Sequence, residues 1–577
     1  MKPTHKKEAG KSATGKTYYR SFYRGNKLTF AAAMVLMVIS ASFNLIFSQI
    51  LGDILDIITA SDLDALRRMG IYILVLLPSM LLIELLIGFL RSRFTHKALE
   101  QYKSLAFGAL TEKSISAFTR ENTGRYVSVL TNDVNSIEEN YLNRSFLLLY
   151  HCALFAGTLI MMLTLDWRMT LLSVALCALP ILVSLALGGG LATREQAVSD
   201  QNERFVSTLQ DLLRGFSVIK SFKAESKVRT NFNRDNHALE KSKRSRRFYE
   251  QMLAAVSNFA AEILQMSIFL FGAYLAIRGE ITAGTVLIFV NLCNYLINPI
   301  QTVPQYLASR KAARGLIRKL AQLTDENTAQ SGMAIEPVLR EGIRFDHVTF
   351  GYDPETPVLR DLSLTLRPGG RYALVGLSGS GKSTLLSLLM GAYRGYEGSI
   401  TIDGQELRDI DGDSLYDLMS LIDQNVFLFQ DTIRNNITMF GDFPAERIDS
   451  AAARAGLGPM LTQKGEDYRC GENGAGLSGG ERQRVSIARS LLRGTPVLLV
   501  DEATAALDTQ TAHNVCAGIL ELEGVTSLTV THRLEEDLLR KYDEIFVLKD
   551  GKLREQGDFE ALMEAKGILY SLYTVAS

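Results

Sequence analysis

The chain carries no surplus of charge: 62 Lys and Arg are balanced by 62 Asp and Glu over 577 residues. A nucleic-acid partner would call for a basic face, so no nucleic acid is expected as a partner. Cysteine is scarce. The five present, Cys152, Cys177, Cys293, Cys470 and Cys516, form no close pair, and the first three lie in apolar stretches. They read as reduced packing residues, not as a disulfide framework or a metal site. No cleavable secretion signal is expected at the N-terminus either. The segment before the first apolar run is too long and too polar, and no small-residue cleavage site follows that run.

What the chain does have is apolar length. Hydrophobic residues make up 47% of it, and the mean hydropathy is slightly positive. That balance fits a protein that is partly membrane-embedded and partly soluble. Six runs, at roughly 28–51, 70–92, 142–165, 168–190, 254–278 and 282–307, approach the ~20 apolar residues that cross a bilayer. Connections after the first, third and fifth runs are short. Those after the second and fourth, roughly 93–141 and 191–253, are long and rich in Lys and Arg, as is the tail from Lys2 to Lys27. Such an excess marks the cytoplasmic side. The tail, both long loops and the charged C-terminal half therefore face the cytoplasm. "ALEQYKSLAFGALTEKSISAF" and "NERFVSTLQDLLRGFSVIKSF" space their apolar residues as helices do. The membrane helices are thus expected to run past the bilayer and turn at tips near 118–124 and 217–226.

Polar groups inside the runs are costly and default to functional candidates. Glu84 in "LLIELLIG" and Glu262 in "FAAEILQM" either face a substrate cavity or hydrogen-bond a neighbouring helix. Asn291, Asn294 and Asn298 recur at helical spacing before Pro299 and Pro304, a stripe that suits a wet cavity wall or interhelical bonding equally. "GGG" at 188–190 allows either a bend or close helix packing.

Past a polar linker at 321–341 the pattern becomes strand-like. Gly376 to Ser383, "GLSGSGKS", matches G-x-x-x-x-G-K-[ST] between an apolar strand and an apolar helix. Backbone N–H groups around Gly376, Ser378, Gly379, Ser380 and Gly381 are expected to wrap phosphates at the helix start that Thr384 continues. Lys382 should reach the β and γ phosphates, and Ser383 should ligate Mg²⁺. "PVLLVDEAT" reads as a buried parallel strand ending in two acids. Asp501 fits the Mg²⁺-side carboxylate, and Glu502 fits the group that polarises the attacking water. His532 ends a third run, "SLTVTH"; a lone His is more often structural, but its place at a neighbouring strand end suits contact with a γ-phosphate.

The stretch "ENGAGLSGGERQR" resembles a second phosphate cradle without a lysine. Ser478 with Glu481 three residues on is a capping-box pattern, and Gly479 and Gly480 expose the first N–H groups of the helix. Such a start can complete an anion pocket but not make one alone. Spacing leaves open whether it closes its own chain's pocket or another's.

Taken together, "GLSGSGKST", "LSGGERQR", "VLLVDEATAALD" and "THR", in this order and spacing, resemble the ATP-binding-cassette (ABC) exporters of the half-transporter kind. The resemblance covers nearly the whole chain. It implies an α-helical membrane domain of six transmembrane helices with long cytoplasmic extensions, over roughly 28–320, after a basic tail at 1–27. An α/β P-loop nucleotide-binding domain follows at roughly 342–577. ATP and Mg²⁺ are the implied cofactors, a second half-transporter and the lipid bilayer the implied partners, and the cell membrane the implied location. Tyr352 matches the aromatic that stacks on adenine, and Gln424 the glutamine that senses Mg²⁺. Ser478, Gly479 and Gly480 match the signature that binds ATP held by the opposite domain. Asp508 matches the loop crossing the dimer interface, and Glu472 the acid that meets the other half's cytoplasmic tip. Glu502 and His532 match the catalytic pair. "AALD" stands where "SALD" is commoner, and "YRCGENG" lacks the usual threonine and valine; neither departure removes a catalytic group. ATP-driven export by alternating access is the expected function. An importer of a metal chelate on the same fold, or one half of a heterodimeric multidrug exporter, fits the same residues.

Overall fold

The computed structural model describes residues 15–119, 123–325, 332–353, 355–504 and 507–576. The basic tail before Gly15, part of the first tip, part of the linker, and Ala505 and Ala506 of "AALD" lie outside the described residues. The chain forms two compact units. Among the described residues, those within 15–109 and 124–323 make one, and those within 110–123 and 324–576 make the other.

The first unit is all helix, as a bilayer demands, because lipid offers no partner for an unpaired peptide group. Its long helices span Lys27–Ala60, Leu63–Thr111, Arg144–Leu165, Ala178–Arg214, Glu225–Ile277 and Ala283–Asp325. Five uninterrupted stretches are long and apolar enough to cross a membrane among the described residues. The fourth expected span differs: it is broken into Trp167–Leu176 and the start of Ala178–Arg214, with a turn at Cys177. Pro180 accounts for the break, since a proline has no N–H to donate to the Leu176 carbonyl.

The 53-residue helix Glu225–Ile277 is about 80 Å long, against a hydrocarbon core of about 30 Å. It therefore projects well beyond the bilayer, antiparallel to Ala178–Arg214. Gly190 meets Tyr249, Glu195 pairs with Arg246 at 3.0 Å, Phe205 lies 5.5 Å from Phe232, and Thr208 donates to Asp235 at 2.9 Å. A Cβ on Gly190 would lie 2.3 Å from the Tyr249 hydroxyl, so this glycine serves close packing. The helix continues unbroken through it. The short helix Gly15–Ser21 leads into an aromatic cluster. Phe22 stacks on Tyr102 at 5.1 Å, and Phe94 meets Phe146 edge-on at 5.6 Å, all four fully buried. Each such side chain contributes about 1.5–3 kcal/mol by burial.

The second unit holds two sheets. Strands β1 (Ile343–Phe350), β2 (Leu359–Leu366), β4 (Glu397–Ile402) and β5 (Gln405–Glu406) form an antiparallel sheet in the order β2-β1-β4-β5. Strands β3 (Arg371–Gly376), β6 (Met419–Ile422), β7 (Val497–Asp501), β8 (Thr526–Val530), β9 (Glu544–Lys549) and β10 (Lys552–Gly557) form the other, in the order β10-β9-β3-β8-β7-β6. All its pairings are parallel except β9 with β10. Strands β7 and β8 are buried along their whole length, as befits a sheet covered on both faces. Because β8 lies between β3 and β7, the carboxyl ends of all three strands point to one edge, where open α/β sheets bind ligands.

Candidate nucleotide-binding site

Strand β3 ends at Gly376, and a helix begins at Lys382 after a tight loop. Gly381 adopts φ +103°, and a Cβ there would sit 2.6 Å from the Leu359 side chain. At Gly376 a Cβ would come within 2.3 Å of the Leu548 carbonyl oxygen. The cradle is thus too close to its own walls for larger residues. Lys382 is 5% exposed, and its Nζ donates to the Gly376 and Leu377 carbonyls at 2.9 and 3.1 Å. The lysine expected on phosphate rests on the loop's own oxygens. Burial lowers its pKa, partly offset by the negative charges of Glu502 and Asp501. The buried Ser380 hydroxyl has no hydrogen-bond partner among the described residues. A loop of N–H groups with an orphaned hydroxyl and a lysine fits a phosphate chain.

Asp501 ends β7 and is 8% exposed. Its Oδ1 is buried without a partner among the described residues. Burial pushes this carboxyl up; the Ser383 hydroxyl beside it opposes the rise and the Glu502 charge adds to it. An unsatisfied buried carboxylate oxygen next to a serine hydroxyl is a donor set that suits Mg²⁺.

Glu502 follows in the left-handed region, at φ +46°, with its N–H donating to the Val530 carbonyl of β8 at 3.3 Å. Such strain in a non-glycine residue persists only where the surroundings enforce it. Here it turns the carboxylate toward His532 and Gln424. Oε1 lies 2.7 Å from His532 Nε2, and Oε2 accepts from Gln424 Nε2 at 2.9 Å. The structure therefore brings Gln424, Asp501, Glu502 and His532 to the same sheet edge as Lys382 and Ser383.

The other expected residues are placed separately. The Tyr352 hydroxyl shares a hydrogen bond of 3.0 Å with Thr384, and its ring, 60% exposed, stands edge-on to Phe350 and Tyr393. Asp508 caps the helix Thr509–Leu520, accepting from the Thr511 N–H at 3.0 Å. Ser378 and Gly379 are exposed on the loop, and Glu472 is exposed in a 3₁₀ turn. Ser478 caps the helix Gly479–Arg493: the Glu481 N–H donates to Ser478 Oγ at 3.2 Å, and the Ser478 N–H donates to Glu481 Oε2 at 2.7 Å. Ser478 and Gly479 are exposed. Sequence reasoning missed Gln483, whose amide donates to the Glu502 carbonyl at 3.4 Å, and Lys464, which contacts Glu481 from 17 residues upstream. No motif spacing signals either.

In the membrane unit Glu84 accepts a hydrogen bond from Ser40, while Asn44 donates to the Tyr150 hydroxyl at 3.1 Å beside it. Glu84 is thus part of a helix–helix polar cluster. Glu262 is exposed and makes no hydrogen bond among the described residues. Asn291 donates to the Leu287 carbonyl of its own helix at 3.4 Å. Asn294 and Asn298 lie exposed one turn apart.

Comparison with known proteins places the chain in a family. Residues 30–300 match the family model described as ABC transporter transmembrane region, and residues 359–505 match that described as ABC transporter. An ATP-dependent lipid A-core flippase of Syntrophus aciditrophicus (strain SB) is 31% identical over 479 residues, covering 80% of this chain and 78% of its own. A putative multidrug export ATP-binding/permease protein, YgaD, of Bacillus subtilis (strain 168) is 30% identical, covering 83% and 84%. The structure of a bacterial Atm1-family ABC exporter with ATP bound superposes with a TM-score of 0.82 at 24% identity, over 96% of this chain and 98% of that one. The chain belongs to the ABC transporter family, as an ATP-hydrolysing exporter half-transporter of the bacterial plasma membrane that works as a dimer.

Proposed function

We propose that each of two ATP molecules is held by the Lys382 loop of one chain and the Ser478–Gly480 helix start of the other, and that closing this sandwich turns the membrane cavity outward. Lys382 leaves the Gly376 and Leu377 carbonyls for the β and γ phosphates, and Tyr352 stacks on adenine. Asp501, Ser383 and Gln424 would hold Mg²⁺, which would neutralise phosphate charge when bound. Glu502 orients a water toward the γ-phosphorus and accepts its proton as the bond to the ADP oxygen breaks. His532 positions Glu502 and meets the γ-phosphate. Asp508 stiffens the loop at the dimer interface.

The observation that carries this reading is the double grip on Glu502 by His532 and Gln424. Each carboxylate oxygen is held by one partner and keeps acceptor capacity to spare, so the grip fixes the direction from which Glu502 meets a water. The exposed apolar residues Phe216, Val218 and Phe222 at the second tip suit docking on a partner, and so do Phe427, Phe429 and Phe440 on the nucleotide-binding unit.

The named relatives include a lipid A-core flippase and a multidrug exporter. Together with the exposed Asn294 and Asn298 in an otherwise apolar helix, they support an amphipathic cargo whose polar part meets these amides. Glu262 is a further candidate for that wall. Two copies of this chain suffice, since it lacks no catalytic group. Co-expression tests the shared site. Lys382→Ala and Ser478→Arg on separate chains leave one composite site whole, so the mixed dimer keeps ATPase activity that each variant alone lacks. An inactive mixture overturns the sandwich. ATP-driven uptake of lipid or dye into inside-out vesicles tests export; uptake into right-side-out vesicles instead overturns it.

A further inference from the structure

The start of the signature helix has an electrostatic problem. Its N–H groups suit an incoming phosphate, but the capping box puts the Glu481 carboxylate in the same first turn. A bare negative charge there repels a polyanion. Lys464, at the end of the helix Gly458–Lys464, answers it. Its Nζ lies 3.0 Å from Oε1 and 3.1 Å from Oε2 of Glu481, and 3.4 Å from the Gly476 carbonyl. Both side chains are mostly buried, at 21% and 15% exposure. Tyr468 fixes the ammonium from the other side: its ring centre is 5.1 Å from Nζ, and its hydroxyl donates to the same Gly476 carbonyl at 3.2 Å. Burial alone would raise the Glu481 carboxyl; the Ser478 N–H and Lys464 overcome this and hold it below its ordinary value. The acid is therefore ionised and its charge is cancelled in place.

We propose that Lys464 is a positioning residue for ATP: by neutralising Glu481 it keeps the Ser478–Gly480 helix start receptive to the γ-phosphate carried by a second nucleotide-binding domain. This rests on the shared-site reading above. The lysine touches no phosphate itself. It acts through Glu481, so its importance exists only while Glu481 is charged. That dependence separates the proposal from a packing role.

The test uses full-length protein in lipid nanodiscs. Lys464→Gln should raise the KM for ATP about tenfold with kcat within about twofold, because an unscreened charge near a docking phosphate weakens binding first. Glu481→Gln should leave KM within about twofold, and adding it to Lys464→Gln should restore KM to that level. A double variant as weak as Lys464→Gln, or a Lys464→Gln protein with unchanged KM, overturns the proposal. Lys464→Arg keeps the charge and should keep the KM; a tenfold rise there also overturns it. The mixed Lys382→Ala and Ser478→Arg dimer separates the two levels. If that dimer is active while Lys464→Gln behaves as wild type, only the lysine's role falls. If it is inactive, the shared-site reading falls.

Discussion

Oε1 of Glu502 sits 2.7 Å from Nε2 of His532, and the two residues belong to neighbouring strand ends, β7 and β8. Parallel pairing places Asp501 opposite Val530, so the residues that follow each strand meet over the same edge. The strained Glu502 backbone then aims one carboxylate oxygen at His532 and leaves the other for Gln424. A charge-assisted contact of this kind is stronger than a neutral hydrogen bond. It sets the orientation from which the carboxylate meets water.

Glu502→Gln should lower ATP turnover by about 10²–10⁴, the usual contribution of a positioned base, while ATP binding persists. Turnover by phosphate release and binding by a fluorescent ATP analogue check this. Wild-type turnover would remove Glu502 from the reaction.

Asp501 links pH to stability. Its folded pKa is raised, chiefly by burial, above that of the unfolded chain. A group of this sign stabilises the fold when protonated, and the contribution is lost as pH rises through the folded value. Asp501→Asn should therefore raise the thermal midpoint of the nucleotide-free protein, by the equivalent of about 1–3 kcal/mol above the folded value, with the gap closing as pH falls through that value toward the ordinary carboxylate range. The same variant should lose Mg²⁺-dependent turnover. A gap that widens at low pH would contradict the burial argument.

Gly190 predicts a packing limit in the projecting hairpin. Gly190→Leu meets Tyr249 and should cost about 1–3 kcal/mol, seen as a lower thermal midpoint in detergent. Pairing it with Tyr249→Ala should recover part of the loss. No recovery would mean that the glycine serves another purpose.

Asn294→Leu combined with Asn298→Leu should reduce ATP-driven flux into inside-out vesicles at least several-fold while basal ATPase stays near wild type, since both residues are exposed on an otherwise apolar helix. Equal loss of both activities would assign these residues to folding.

Much of the site was legible as residue types at fixed spacing. The phosphate loop, the acidic strand end and the capping box are local, because each is built by a turn or a helix start that neighbouring residues specify. Apolar length likewise announced the membrane helices. Glu84 was legible as a costly group, but its link to Ser40 was not, because the two lie 44 residues apart on different helices. The break at Cys177 was hidden by uniform hydropathy, which does not register a missing N–H at Pro180.

By itself, then, the sequence determined which segments are apolar enough to enter a membrane and which loops can cradle phosphate, since both properties are carried by consecutive residues. Only the tertiary structure decided that His532 and Gln424 share one carboxylate, that Gly190 packs against Tyr249, and that Lys464 lies on Glu481. Strand order and helix register set those distances, and both depend on packing between segments far apart in the chain.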